Sequence, residues 1–218
     1  MRPIQKVISI AAAVTNGIAT SQTPANGVAL TLNGSLVSGG IATPTYPAYV
    51  TLASTSNLST VTFTVCGFSE INVYQTEAIT GPNNATVTTT NKFKTITAIN
   101  VSTASTFTTE KVIAGAAAVG IGNGDWWPLD IYTPTQDTTI SCNILASGSA
   151  TYSVEYTNED TWNLAASNVL AVAHPVAALT SASTDQTAFT NQIMRAVRVN
   201  VASGAGQLRV TVVQQSTM

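Results

Sequence analysis

The sequence predicts an all-β protein of two antiparallel β-sandwich domains, jelly-roll or Ig-like, with little or no helix. Three observations carry that expectation. Apolar and polar residues alternate with a period of two over many short segments, turn residues separate those segments, and no long stretch holds a 3.6-residue period. Many short strands at close spacing are the signature of sandwiches and barrels. A chain of 218 residues fits one large or two small domains, and two is the preferred reading.

The first element is a strand over Ile4 to Ile10. Arg2 and Lys6 beside the apolar run Val7 to Val14 resemble the start of an export signal, but that run is far shorter than the ~20 residues of a membrane helix. Val28 to Leu32, Asn33-Gly34 and Ser35 to Val37 read as a hairpin closed by a type I′ turn, whose two central residues need positive φ. Further strands fall at Tyr49 to Leu52, Val61 to Cys66, Ile71 to Ile79, Ala85 to Thr89, Phe93 to Val101 and Phe107 to Ile113. Between Ile96 and Ile99 the apolar phase flips, which predicts a β-bulge or a crossing between sheets.

In the second half, Ile140, Cys142 and Ile144 alternate with Ser141 and Asn143, and Tyr152, Val154 and Tyr156 with Ser153 and Glu155. Ala146 to Ser149 reads as the turn joining them. Val197, Val199 and Val201 pair in the same way with Leu208, Val210 and Val212 across Gly204-Ala205-Gly206. Trp162 to Leu179, interrupted by Pro175, reads as a long loop with one helical turn.

The domain boundary falls where the strand pattern dissolves, at Ala114 to Gly124, giving domains 1–115 and 116–218. Ala11-Ala12-Ala13-Val14 with Asn16-Gly17 is echoed by Ala116-Ala117-Ala118-Val119 with Asn123-Gly124. That echo supports a second arrangement, in which strand 4–10 pairs with the C-terminal domain and residues 18–113 are an insertion.

Only 8% of the residues are charged, against roughly a quarter in an ordinary soluble domain, and hydrophobic content is 44%. Solubility therefore rests on Thr, Ser, Asn and Gly. A net charge of −2 gives no electrostatic reason to bind nucleic acid, and no membrane partner is expected. Cys66 and Cys142 sit in separate predicted strands and are expected as free, buried thiols.

No motif names a reaction, and no enzyme activity or cofactor is expected. His174 is the sole histidine and lies in the least regular segment; a structural hydrogen bond is its expected role. One histidine and two distant cysteines cannot furnish a zinc site. Glu155, Asn158, Glu159 and Asp160 form the acidic cluster, which lacks Ca²⁺-loop spacing and reads as a solvated turn. The sequons at Asn33, Asn57, Asn84 and Asn100 are expected by chance in so Asn- and Thr-rich a chain. Trp126 and Trp127 are candidate interface residues, one sealing a core and the other anchoring a partner. Arg198 and Arg209, on the outward faces of adjacent predicted strands, complete the candidate interface.

Two stretches resemble known modules. Trp127-Pro128-Leu129-Asp130-Ile131-Tyr132-Thr133-Pro134, Ser147 to Thr157, Arg195 to Val201 and Gly206 to Gln214 resemble a β-sandwich module of tailed-bacteriophage virion proteins. Small phage proteins of that kind begin much like Met1-Arg2-Pro3-Ile4-Gln5. Val61 to Gly67, Thr76 to Gly81 and Thr88 to Ile99 are similar to a second phage module, from which Phe68 to Asn72 depart, since a short Gly-bearing turn is usual there.

The resemblance implies a non-enzymatic virion structural protein made in the host cytoplasm. A capsid decoration or cement protein is the leading expectation, with the major capsid protein or other virion proteins, and further copies of itself, as partners. The alternatives are a neck, tail or baseplate component, or a host-receptor or glycan-binding module in which Trp126, Trp127 and Trp162 form an exposed platform.

Overall fold

A computed structural model describes residues 3–102, 107, 109–129, 137–164 and 168–215, and among them every extended ladder is antiparallel. In chain order the strands begin with β1 (Ile4–Ile10), β2 (Val14–Gln22), β3 (Val37–Ser38), β4 (Ile41–Ala42), β5 (Ala48–Asn57) and β6 (Thr62–Phe68). Next come β7 (Tyr74–Thr80), β8 (Asn83–Phe93), β9 (Thr95–Val101), β10 (Val112–Ala116) and β11 (Gly122–Asn123). The last are β12 (Trp127–Pro128), β13 (Asp137–Thr157), β14 (Val172–Ala173), β15 (Gln186–Thr190) and β16 (Ala196–Gln215). No α-helix occurs among the described residues; a 3-10 turn at Ala177–Leu179 falls inside the segment expected to be a loop with one turn.

The chain divides into two units, one formed by residues 13–119 and the other by residues 1–12 together with 120–218. In the 13–119 unit, a four-stranded sheet (β2-β10-β5-β8) and a five-stranded sheet (β3-β4-β9-β6-β7) feed one buried cluster. Ile18, Val50, Leu52 and Val112 come from the first sheet, and Phe63, Val65, Ile96 and Ile99 from the second. Its first and last strands are neighbours, with Val14 opposite Ala116, so the unit's two ends lie together.

Side-chain bonds tie the edges of those two sheets. The Glu77 carboxylate on β7 accepts from Thr90 N (2.6 Å), Thr90 Oγ1 (2.9 Å) and Asn91 N (2.8 Å) on β8, and Gln75 Nε2 donates to Lys92 O at 2.6 Å. The phase flip in β9 is a bulge: Cys66 faces Ala98 and Gly67 faces Ile96, leaving Thr97 unopposed with its Oγ1 on Cys66 O.

The other unit is a single sheet built on two very long strands. β13 and β16 pair along nearly their whole length, from Asp137 opposite Gln215 to Thr157 opposite Ala196. The turns expected at Ala146–Ser149 and Gly204–Gly206 are therefore not hairpins; each strand runs through. The register shifts between Leu145 and Ser149, and these segments face each other across the ladder as a corner. Gly204 and Gly206 have φ of +146° and +104°, and a Cβ on Gly204 would collide with the Ser149 carbonyl oxygen.

The corner folds the two-strand ribbon so that both arms serve one core. Ile140, Cys142, Leu208 and Val210 on one arm share a cluster with Tyr152, Val154, Val197 and Val199 on the other. Gln192 Nε2 donates to Tyr156 Oη at 3.1 Å, two residues after Thr190 pairs with Thr138 near the opposite end of β13. Flanking segments follow the bend on both sides. Along β16, β1 covers the far arm from Val212 to Gly206, and β11 and β12 cover the near arm from Val201 to Ala196. Ile4–Ile10 is thus paired with the C-terminal strand, and residues 13–119 are inserted in sequence between β1 and β11. Along β13, β15, a bridge from Ala182 to Tyr152 and then β14 do the same.

Two other local expectations change. The I′-type turn is not at Asn33-Gly34 but at Gly39-Gly40 (φ +59° and +78°), joining β3 to β4. Asn33 serves β2 instead: its Oδ1 accepts from Thr20 N and Thr20 Oγ1, both at 2.9 Å, while Leu30 N donates to Ile99 O. The segment expected to be a linker from Ala114 begins as strand, because β10 is central between β2 and β5 with Ala114 and Ala116 buried. Part of the predicted strand at Phe107 to Ile113 lies outside the described residues.

Gly204→Ala is expected to destabilise by about 3 kcal/mol, since strained backbone and a backbone collision coincide there. Gly39→Ala, in open space, costs about 1 kcal/mol for the left-handed backbone alone. Urea unfolding of the two variants measures the contrast.

Candidate functional site

The strongest constellation of chemistry-bearing side chains lies on the outward face of the near arm. Val197 and Val199 point into the core, so alternation turns Arg198 outward, directly opposite Glu155 on β13. Arg198 Nε donates to Glu155 Oε2 at 2.7 Å, with the two side chains only 10% and 19% exposed. Trp126 stacks on the arginine, its ring centroid 4.5 Å from the guanidinium carbon. Trp127 pairs with Val197 and packs against the core instead. The Trp126 indole Nε1 is buried and makes no hydrogen bond.

The four expected interface residues are therefore separated. Trp126 and Arg198 meet, Trp127 supports the core, and Arg209 stands exposed on the same strand, between Val7 and Asn143. Glu155 was not among the expected interface residues. Its phase as an outward residue was readable, but its register opposite Arg198 depends on β13 and β16 pairing with each other. The three tryptophans do not form one platform, because Trp162 alone is largely exposed, at 81%.

His174 is buried next to β14. Its Nδ1 accepts from Val176 N at 3.2 Å, which leaves the proton on Nε2, buried and without a hydrogen bond. Burial holds its pKa below the ordinary value, so the ring is neutral at pH 7. Cys66 and Cys142 are free and buried, and burial pushes the Cys142 thiol up to about 12. Such a thiol is a poor nucleophile. Neighbouring Tyr152 is likewise raised by burial, and its hydroxyl donates to Thr184 O.

The acidic cluster organises its own loop. Glu159 Oε2 accepts from Leu170 N at 2.6 Å; Asp160 accepts from Trp162 N at 3.0 Å and from Asn163 Nδ2 at 2.6 Å. The backbone bond from Trp162 leads in lowering the Asp160 pKa, followed by that from Asn163. Glu77 is lowered too: slight burial would raise it, but the bonds from Thr90 and Asn91 prevail. Among the described residues, no group of three or more His, Cys, Asp and Glu is placed to hold a metal ion, and no helix is long and apolar enough to cross a membrane.

What the arrangement does chemically is fix the sheet. Glu77, Glu155, Glu159 and Asp160 accept from backbone or side-chain donors of their own unit, and the buried arginine is neutralised across the ladder. Comparison with protein-family models and with curated proteins gives no match.

Arg198→Ala is expected to cost roughly 3 kcal/mol, because it leaves the Glu155 carboxylate without its partner. The double change Arg198→Met with Glu155→Leu should recover most of that loss, as read by denaturant unfolding followed through tryptophan fluorescence.

The folded pKa of His174 is depressed, so the unfolded chain takes up the proton first. Its contribution is complete above the ordinary value of 6.5 and is lost as pH falls from there toward the folded value. Thermal melts between pH 7 and pH 5 should show a steeper fall for the native chain than for His174→Asn.

Proposed function

We propose that this chain is a non-enzymatic structural protein of a tailed-phage virion, most specifically a capsid decoration or cement protein acting by adhesion. One observation carries the reading: the sole histidine, the Arg198–Glu155 pair and the Glu77, Glu159 and Asp160 carboxylates are spent on internal bonds, while the exposed surface is rich in hydroxyl, amide and apolar groups. His174 is buried with a single backbone donor, Glu159 and Asp160 hold their loop, and Arg198 is paired with Glu155. The resemblance of Trp127–Pro134, Ser147–Thr157, Arg195–Val201 and Gly206–Gln214 to phage virion modules points the same way.

In this reading each unit is a β-sandwich. The 13–119 unit closes two sheets over one core, and the other folds one ribbon at its glycine corner. Adhesion draws on apolar surface at about 25 cal/mol per Å², multiplied by repetition over a symmetric shell. A surface with few charges desolvates cheaply at each contact. The partners are the major capsid protein or other virion proteins, and further copies of this chain; no cofactor takes part. A glycan-binding role needs the aromatic platform, and inward Trp127 and the stacked Trp126 weigh against it.

Quantitative mass spectrometry of purified particles from the phage encoding this chain tests the proposal. Copies on the order of hundreds per particle are expected for a shell protein; about six or twelve would move it to the neck, tail or baseplate. Particles without the chain would overturn the reading.

A further inference from the structure

Residues 172–182 run beside one stretch of β13 as a strap. Val172 and Ala173 pair with Tyr156 and Glu155, His174 N donates to Val154 O at 3.0 Å, and Ser181 N donates to Ser153 Oγ at 2.9 Å. Ala182 and Tyr152 exchange two backbone bonds. On its other side the same stretch of β13 pairs with β16, so the strap can lift without breaking the long ladder. Segments attached in this way open at lower free energy than the core strands behind them. Leu179, within the strap, is fully buried in the core cluster, and His174 is 3% exposed.

The ring of His174 fits its place only while neutral. Nδ1 is committed as an acceptor to Val176 N at 3.2 Å, and Val176 O accepts from Leu179 N at 3.0 Å, so the ring secures the turn that seats Leu179. Nε2 is buried without a hydrogen-bond partner. A protonated imidazole has donors only, so its Nδ1–H would meet the Val176 N–H while a buried charge kept an unpaired Nε2–H. Among the described residues, no charged group offsets that charge. On the core side β13 presents Cys142, Tyr152 and Tyr156; burial raises the pKa of the first two, and the tyrosine hydroxyls bond Thr184 O and Gln192. Glu155 is committed to Arg198 on the outward phase, which Arg209 shares, and Asp185 holds Ile144 N. The 3-10 turn, β14 and β15 carry no titratable side chain.

We propose that the neutral ring of His174 latches this strap to β13 and that acid releases it while the β13–β16 ladder stays folded. A ring that titrates near 6.5 when free and resists protonation in place keeps the strap closed above that pH and lets it open below. Release bares the β13 edge from Tyr152 to Tyr156, an unpaired edge of the kind that recruits a further strand. The inference does not depend on the virion reading.

Amide hydrogen exchange of the full chain at pH 7 and pH 5, corrected for intrinsic rates, tests it. At both values the amides of His174, Val176, Leu179 and Ala182 should open about 100-fold or more above those of the β13–β16 ladder. Between pH 7 and pH 5 the strap's opening constant should rise several-fold, with a ceiling of about 25-fold for a free ring titrating near 6.5. His174→Asn, whose amide does not titrate, should abolish that rise whatever its own level of protection. A strap as protected as the ladder, an opening constant unchanged by acid, or the same rise in His174→Asn overturns the inference.

Discussion

The ribbon unit depends on a steric allowance at one place, where Gly204 and Gly206 cross the segment around Gly148. A straight two-stranded ribbon of some twenty residues buries neither face well, because isolated ribbons have no second layer. Bending lets the inward residues of both arms meet, and the core follows: Ile140 and Cys142 face the same interior as Tyr152 and Val154. The bend is possible only where backbones approach too closely for a Cβ; Gly206 would place one 2.7 Å from the Gly148 Cα. Every edge segment of the unit then inherits the corner. β1 stops opposite Gly206 and β11 resumes opposite Val201, so that edge is interrupted at the corner.

The same economy of charge runs through both units. The whole chain has only ten acidic and eight basic side chains, and several of them tie parts of the fold together. Glu77 joins two sheet edges through donors on Thr90 and Asn91, and Arg198, stacked on an indole, joins two strands with Glu155. These bonds fix register rather than supply the bulk of stability, which comes from aliphatic burial. Carboxylates so engaged have little freedom to act as general acids or bases.

Much of this architecture was legible in the sequence, and the illegible part has a common cause. Period-two alternation marks Ile140–Ile144 and Val197–Val201 as strands whatever they pair with. It says nothing about the partner. A glycine-bearing break between two alternating runs looks the same whether the chain reverses there or bends and continues, which is why two hairpins were expected and two long strands were found. The bulge at Thr97 was readable because a bulge changes phase within one strand. Ala114–Ala116 looked like a linker because small residues serve flexible connectors and tightly flanked central strands alike. β15, with Gln, Thr, Ala, Phe and Thr, carries too weak a pattern to be seen without β13 beside it. Of the candidate site, the types and outward phase of Trp126, Arg198 and Arg209 were legible; Glu155 as the partner of Arg198 required the register.

The adhesive role proposed above rests on how the sequence spends its side chains. A catalyst holds polar groups unsatisfied and aimed at a space, at a cost in stability. Among the described residues, the buried side-chain polar atoms without a hydrogen bond are Nε2 of His174, Nε1 of Trp126 and Oγ1 of Thr138. Surface exposure goes the other way, toward large apolar side chains in both units, Ile71 and Tyr74 in one and Trp162 and Ile193 in the other. A protein that satisfies its ions internally and leaves apolar surface outside is suited to being covered. The corner makes the core behind that surface possible, since folding the ribbon back brings the inward residues of both arms, Ile140 and Cys142 with Tyr152 and Val154, into one cluster.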